Sequence, residues 1–153
     1  MFRRLSSFVA LKPSEWLVFL EAWCLFLKWD GIISLLDYQK WHQAISRPPK
    51  TIRPVSASVL ANIIRLSEMA GRNHLRKMNC LRRCLCQKQL LNRRGVGCQI
   101  HFGVALQSNG KVKAHAWLSH QGEIINDSQA VVQLYSELTQ QQAPLGALIQ
   151  KTD

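Results

Sequence analysis

Acidic residues are scarce in this chain: nine Asp and Glu stand against twenty Lys and Arg, for a formal net charge of +11. A surface so basic needs a partner or a reason, and nucleic acid, anionic membrane and acidic peptide are the usual ones. No basic run is interleaved with aromatic residues; the cations are scattered, with short clusters at Arg3-Arg4, Arg82-Arg83 and Arg93-Arg94. That pattern argues against a nucleic-acid-binding protein. No apolar run is long enough to span a bilayer. The longest, residues 16–27, is twelve residues interrupted by Glu21, whereas about twenty are needed. It reads as a buried helix, with membrane-surface contact as the minor reading. The first eleven residues resemble an export signal only faintly, because Lys12 and Pro13 cut the apolar stretch short. Cysteine is neither absent nor evenly paired. Five is an odd number, and four lie between residues 80 and 98, unlike a secreted disulfide framework. Free thiols in a cytoplasmic, reducing setting fit better. Repeats and low-complexity segments are lacking.

What remains is 153 residues, 47% of them apolar, enough for one domain with its own core. We read it as 1–153 in three portions: a helical N-terminal portion with a Pro-rich linker (1–55), a core (56–138) and a tail (139–153). Ser14 is the expected N-cap of a helix to about residue 29, broken by Asp30-Gly31, with a second apolar stretch over residues 32–45. The prolines at 48, 49 and 54 preclude regular structure there. A helix is expected over residues 56–70, with Val59, Ile63, Leu66 and Ala70 on one face and Gly71 ending it. Another is expected over residues 78–94, its apolar side made by Leu81, Leu85, Leu90 and Leu91.

After Gly95 the hydrophobic period changes from helical to two. Val96, Cys98, Ile100, Phe102 and Val104 alternate with smaller or polar residues, which predicts a strand. Ser108-Asn109-Gly110-Lys111 is a hairpin turn. Strands are expected over residues 112–118 and 123–126, then a helix over 129–138. The fold class is therefore α+β, helices first and an antiparallel meander after.

Three residue types in this frame make up the parts of an acyl-transfer site: Cys80, His115 and Asp127 as nucleophile, base and orienter. Cys80 falls in the first turn of its helix, where unpaired N–H groups favour a thiolate and offer an oxyanion hole. Arg82 and Arg83 add positive charge nearby. If the turn after Ser119 has three residues, Ser119 pairs with Glu123 and His115 stands opposite Asp127, with Cβ atoms about 5 Å apart. A two-residue turn shifts this pairing by one and weakens the contact. Cys80, Cys84, Cys86 and Cys98 with His101 form a competing zinc set. Its C-x-x-x-C-x-C spacing does not match paired metal knuckles, and Cys86 points away from the other two helical thiols. His101 is read as solvent-facing or near the site. His42, His74 and His120 have no identifiable partners. The aromatic set Trp16, Phe19, Trp23, Phe26 and Trp29 is read as an exposed apolar interface.

Asn79-Cys80-Leu81-Arg82-Arg83-Cys84-Leu85, Leu90-Leu91-Asn92-Arg93-Arg94-Gly95-Val96, Phe102-Gly103-Val104, Ala114-His115-Ala116-Trp117-Leu118 and Gly122 together resemble the lasso-peptide leader peptidases. These are small transglutaminase-like cysteine peptidases of bacterial peptide-antibiotic clusters, and the resemblance covers about residues 56–128. It implies a transglutaminase-like (papain-like) core with the nucleophile at a helix N-terminus packed on an antiparallel sheet. It implies catalysis by Cys80, His115 and Asp127, without metal or organic cofactor. It also implies partners: a precursor peptide whose leader is removed, a separate leader-recognition protein for this stand-alone form, and an ATP-dependent cyclase that closes the ring. Cys84 departs from the family, which usually has serine there, and leaves a second possible nucleophile. Two other functions stay open: a non-enzymatic adaptor of a peptide-modification complex, and a transglutaminase-like acyl transferase acting on another amine or amide.

Overall fold

A computed structural model describes residues 11–41 and 47–138. The first helix, α1, spans Pro13–Leu35. Its N-cap is Lys12 rather than Ser14: Pro13 takes the first helical position, where a missing N–H costs nothing, and the Glu15 carboxylate accepts the Lys12 backbone N–H at 3.0 Å. The expected break at Asp30-Gly31 does not occur. Trp29 is buried and Ile32 and Ile33 pack on the same core on the far side of the pair, so tertiary packing outweighs the weak local propensity. The helix continues for one more turn and ends with the Leu36 N–H on the Ile32 carbonyl. A single short helix, α2 (Tyr38–Trp41), follows in place of the longer second stretch. His42 lies outside the described residues, as does the rest of that stretch to residue 46.

Helix α3 spans Ala57–Arg72, with the Ser56 hydroxyl accepting the Val59 N–H. Ile63, Leu66 and Ala70 are buried as expected, but Val59, near its start, is half exposed. Gly71 does not end the helix. It lies inside it, where a side chain would be 3.2 Å from the Phe26 ring; glycine here permits close approach to α1. Helix α4 spans Cys80–Arg93, capped by Asn79. Leu81, Leu85, Leu90 and Leu91 are all buried. The three long helices share one hydrophobic core, which also receives Ile100, Ala116 and Leu118 from the sheet.

The sheet follows in chain order: β1 (Gln99–Leu106), β2 (Val112–His120) and β3 (Glu123–Ile124), then a short helix α5 (Gln129–Val132) and a last strand β4 (Ser136–Glu137). The spatial order is β3-β2-β1-β4 and every pairing is antiparallel. β3 is shorter than expected, and β4 replaces the end of the expected final helix. Ala116 and Leu118 turn inward to α4; His115 and Trp117 lie on the opposite face.

The aromatic residues of α1 are not an exposed interface. Phe19, Phe26 and Trp29 are buried in this chain's own core, and Trp16 and Trp23 are partly covered. The exposed apolar side of α1 is made instead by Leu17, Leu20 and Leu27. Among the described residues no helix is long and apolar enough to cross a membrane.

Asp30 binds the chain across this core. Its carboxylate accepts from Arg76 at 2.9 Å and lies 3.0 Å from the Arg82 Nε, which is almost buried. Asp30→Ala removes the counter-charge of an inaccessible guanidinium. It should destabilise the protein by about 3 kcal/mol, measured from the urea unfolding midpoint. An unchanged midpoint would mean the pair contributes nothing.

Candidate active site

Cys80 is the first residue of α4 and is half-buried. The Asn79 side chain accepts the Arg82 N–H at 2.9 Å, which anchors the helix start. By helix geometry the N–H groups of Cys80 and Leu81 have no intrahelical acceptor, and the Leu81 amide favours the thiolate form of Cys80. Arg82 and Arg83 do not supply the charge that their position suggested. Arg82 is engaged with Asp30, and Arg83 with Glu68 at 2.9 Å.

His115 projects from β2 and its Nε2 lies 2.6 Å from the Asp127 Oδ2. With Nε2 so engaged, Nδ1 is the nitrogen left to share a hydrogen bond with Cys80, a coupling that shows in the electrostatics of both groups. Both charges respond. Burial pushes the Cys80 thiol up, but the His115 hydrogen bond, the Ala116 backbone and the imidazolium charge outweigh it, and the thiol ends below its usual range. The same hydrogen bond raises His115, burial opposes it, and Asp127 raises it further, leaving the imidazole above its usual range. The coupling thus shifts the thiol toward thiolate and the imidazole toward imidazolium.

The structure brings the three residues together, though not by the expected route. The turn after β2 has two residues, Gln121 and Gly122, with His120 pairing Glu123 and Ser119 pairing Ile124. On that register Asp127 is not opposite His115. The contact forms because β3 ends at Ile124 and the chain bends out of the sheet. The Asp127 Oδ1 then accepts the Ser128 N–H at 2.8 Å, leaving Oδ2 for the imidazole.

Asn126 holds this bend, and sequence reasoning missed it. Its Oδ1 accepts the Leu118 N–H at 2.7 Å. Its Nδ2 donates to the Gln87 Oε1 at 2.8 Å and contacts the Cys84 Sγ at 3.4 Å. Gln87, fully buried on α4, in turn donates to Glu68 at 2.7 Å and Ser67 at 3.1 Å on α3. Tyr135 was also missed. Its ring stacks on His115 with centroids 4.8 Å apart, and Trp117 stacks at 6.1 Å; such faces favour the cationic imidazole. The available signal was Gly103 directly opposite His115 in the β1–β2 ladder. A side chain there would lie 2.8 Å from the Tyr135 Cβ and 2.9 Å from the Trp117 ring.

His101 is not solvent-facing. It stacks on Trp117 at 5.7 Å, with Nδ1 2.5 Å from the Glu137 carboxylate and Nε2 2.6 Å from the Ser119 hydroxyl. This chain of contacts fastens β4, and with it the adjacent Tyr135, to the sheet. His120 Nδ1 meets the Gly97 carbonyl at 2.6 Å, and His74 packs on Trp23 and Phe26.

The remaining thiols diverge. Cys84 and Cys86 are fully buried, and desolvation holds both protonated far above the usual thiol range. The Cys86 Sγ lies against the Ala22 carbonyl at 3.5 Å. Burial pushes Cys98 up to about 11. Among the described residues no three Cys, His, Asp or Glu side chains converge to hold a metal, so the cysteine set with His101 is not gathered into a zinc centre. Cys84 has neither the helix terminus nor an imidazole, unlike Cys80.

The comparisons with known proteins agree with this geometry at the level of the family. The family model described as transglutaminase-like superfamily matches residues 23–140. No curated protein and no solved structure matches the chain.

Two outcomes are expected. Alkylation of Cys80, located by mass spectrometry, should proceed well below pH 8.5, about the reference thiol pKa, because the thiolate persists down to the lowered pKa. His115→Ala should move the profile up; an unmoved profile would disprove the coupling. Gly103→Ala should force Tyr135 and Trp117 apart and cost about 1–3 kcal/mol in the urea midpoint, and wild-type stability would show that the rings have room to spare.

Proposed function

The chain belongs to the transglutaminase-like superfamily, and on that premise we propose that it is a cysteine endopeptidase removing the leader from a ribosomally made lasso-peptide precursor. The observation that carries the proposal is the shared imidazole: His115 lies 2.6 Å from the Asp127 carboxylate and is electrostatically coupled to Cys80 at the start of a capped helix. The motif resemblance over residues 56–128 supplies the substrate class.

In this mechanism the Cys80 thiolate attacks the scissile carbonyl at the leader–core junction. The N–H groups at the start of α4 receive the oxyanion. The His115 imidazolium protonates the departing core amine, and the leader stays on Cys80 as a thioester. Neutral His115 then takes a proton from water, which attacks the thioester and releases the leader acid and the thiolate. Asp127 keeps the imidazole oriented throughout, with Tyr135 and Trp117 stacked on it. The liberated amine is the group an ATP-dependent cyclase needs to close a macrolactam. A separate leader-recognition protein would present the precursor.

A second reading comes from the breadth of the superfamily: the same thioester delivered to an amine would make the protein an acyl transferase. The adaptor reading has less support, since an adaptor has no use for a thiol whose pKa is lowered by a neighbouring imidazole.

The test is mass spectrometry of a lasso precursor incubated with the protein and a leader-recognition protein. Cleavage should yield free leader acid and core amine. Cys80→Ala should abolish it with the circular dichroism unchanged, and Asp127→Asn should reduce it less. Full activity of Cys80→Ala would refute the assignment, and an amine adduct on the leader would favour the transferase.

A further inference from the structure

A cleft of about 600 Å³ lies along the far half of α4, bounded by α1 and the Pro48-Pro49 segment. Six cations line it and no carboxylate does: Lys28, Arg47, Lys50, Arg53, Lys88 and Arg93. Only Arg93 is neutralised by an acid, Glu21 at 2.8 Å. Lys28 and Lys88 have neutral partners, the Gln89 amide at 3.2 Å and the Cys98 carbonyl at 2.5 Å. Arg47, Lys50 and Arg53 have no carboxylate partner among the described residues. Burial lowers Lys28, with the neighbouring Arg93 charge adding to it, and burial lowers Lys88; an anion would relieve both.

Two further atoms of lining residues lack partners among the described residues. The Trp29 indole Nε1, in a residue 4% exposed, has no acceptor, and the buried Asn92 Oδ1 has no donor. A ligand that completes the cleft therefore brings negative charge, an acceptor and an N–H donor together. We propose that this cleft binds an acidic segment of the substrate peptide, its side-chain carboxylates meeting the cations and its backbone supplying the N–H and carbonyl groups. This rests on the peptidase reading and adds a specificity site to it. A phosphate headgroup brings charge and acceptors, but it does not bring the amide donor that Asn92 lacks. For a nucleic acid the cleft has no exposed aromatic face to stack bases on, because Trp29, its one aromatic residue, is buried.

The cleft is separate from Cys80. At 1.5 Å rise per residue, the α4 residues that line it, from Leu85 to Arg93, lie roughly 8–20 Å along the helix axis from Cys80. An extended chain advances about 3.3 Å per residue. The acidic residues therefore sit at least about three positions from the scissile bond.

The experiment is fluorescence anisotropy of dye-labelled hexaglutamate and hexaglutamine on the full chain. Hexaglutamate should bind and weaken with added salt; hexaglutamine should not bind. Lys50→Glu with Arg53→Glu should weaken binding by about tenfold or more. The milder Lys50→Gln with Arg53→Gln should lose part of it, and Lys113→Glu, outside the cleft, should change little. Equal binding of the two peptides, equal loss with Lys113→Glu, or tighter binding to phosphatidylglycerol vesicles or poly-uridine would overturn the proposal. Because binding is read without turnover, hexaglutamate captured by a chain that cleaves no precursor would reject the peptidase reading alone. Cleavage with an unchanged KM in the double-Glu variant would reject the cleft alone.

Discussion

The buried amide of Gln87 ties the helical half of this molecule to the sheet half by hydrogen bonds on both its ends, beneath the apolar core the two halves share. Both ends are used. Its nitrogen serves Ser67 and Glu68 on α3, and its oxygen receives Asn126 beyond β3. Asn126 then takes the Leu118 N–H from β2. A buried polar chain of this kind is worth having only if every member is satisfied, since an unpaired amide inside a core costs more than the bond gains. The position of residue 126 is therefore closely constrained, and residue 127 follows it. The carboxylate on His115 is placed by hydrogen bonds reaching back to α3 rather than by a facing strand.

The scarcity of acids has a structural counterpart. Glu15, Glu21, Asp30 and Glu68 each hold one or two arginines that are distant in sequence, and Asp127 and Glu137 each hold a histidine. Almost every acid in the described chain is thus committed to an internal tie. The excess positive charge has no internal use and is left to the surface, where it gathers along the far half of α4.

Much of this was legible in advance. Periodicity located α3, α4 and the β1–β2 hairpin, because there the local pattern and the packing agree. It misjudged α1 at Asp30-Gly31, where two arginines from elsewhere in the chain pair with the aspartate and the flanking apolar residues reach the core. It misread the aromatic face of α1 because composition cannot say which side of an apolar helix its own domain will cover. Cys80, His115 and Asp127 were recognisable by type and order, and they do meet. Their meeting depends on a bend and a buried relay with no periodic signature. Tyr135 escaped because it is placed by the two-residue strand that follows it, which pairs with β1 only after the chain has crossed the sheet.

The order of these parts along the chain also has a meaning in time. Cys80 is made before His115, Asp127, and the strand that brings Tyr135. At about 5–20 residues per second, the 57 residues from Cys80 to Glu137 take roughly 3–11 s to synthesise. For the first 35 of those residues, until His115 is made, the thiol lacks the imidazole that lowers its pKa. A nascent chain therefore carries Cys80 without its imidazole, and the lowered thiol pKa arises only when the sheet closes over the helix.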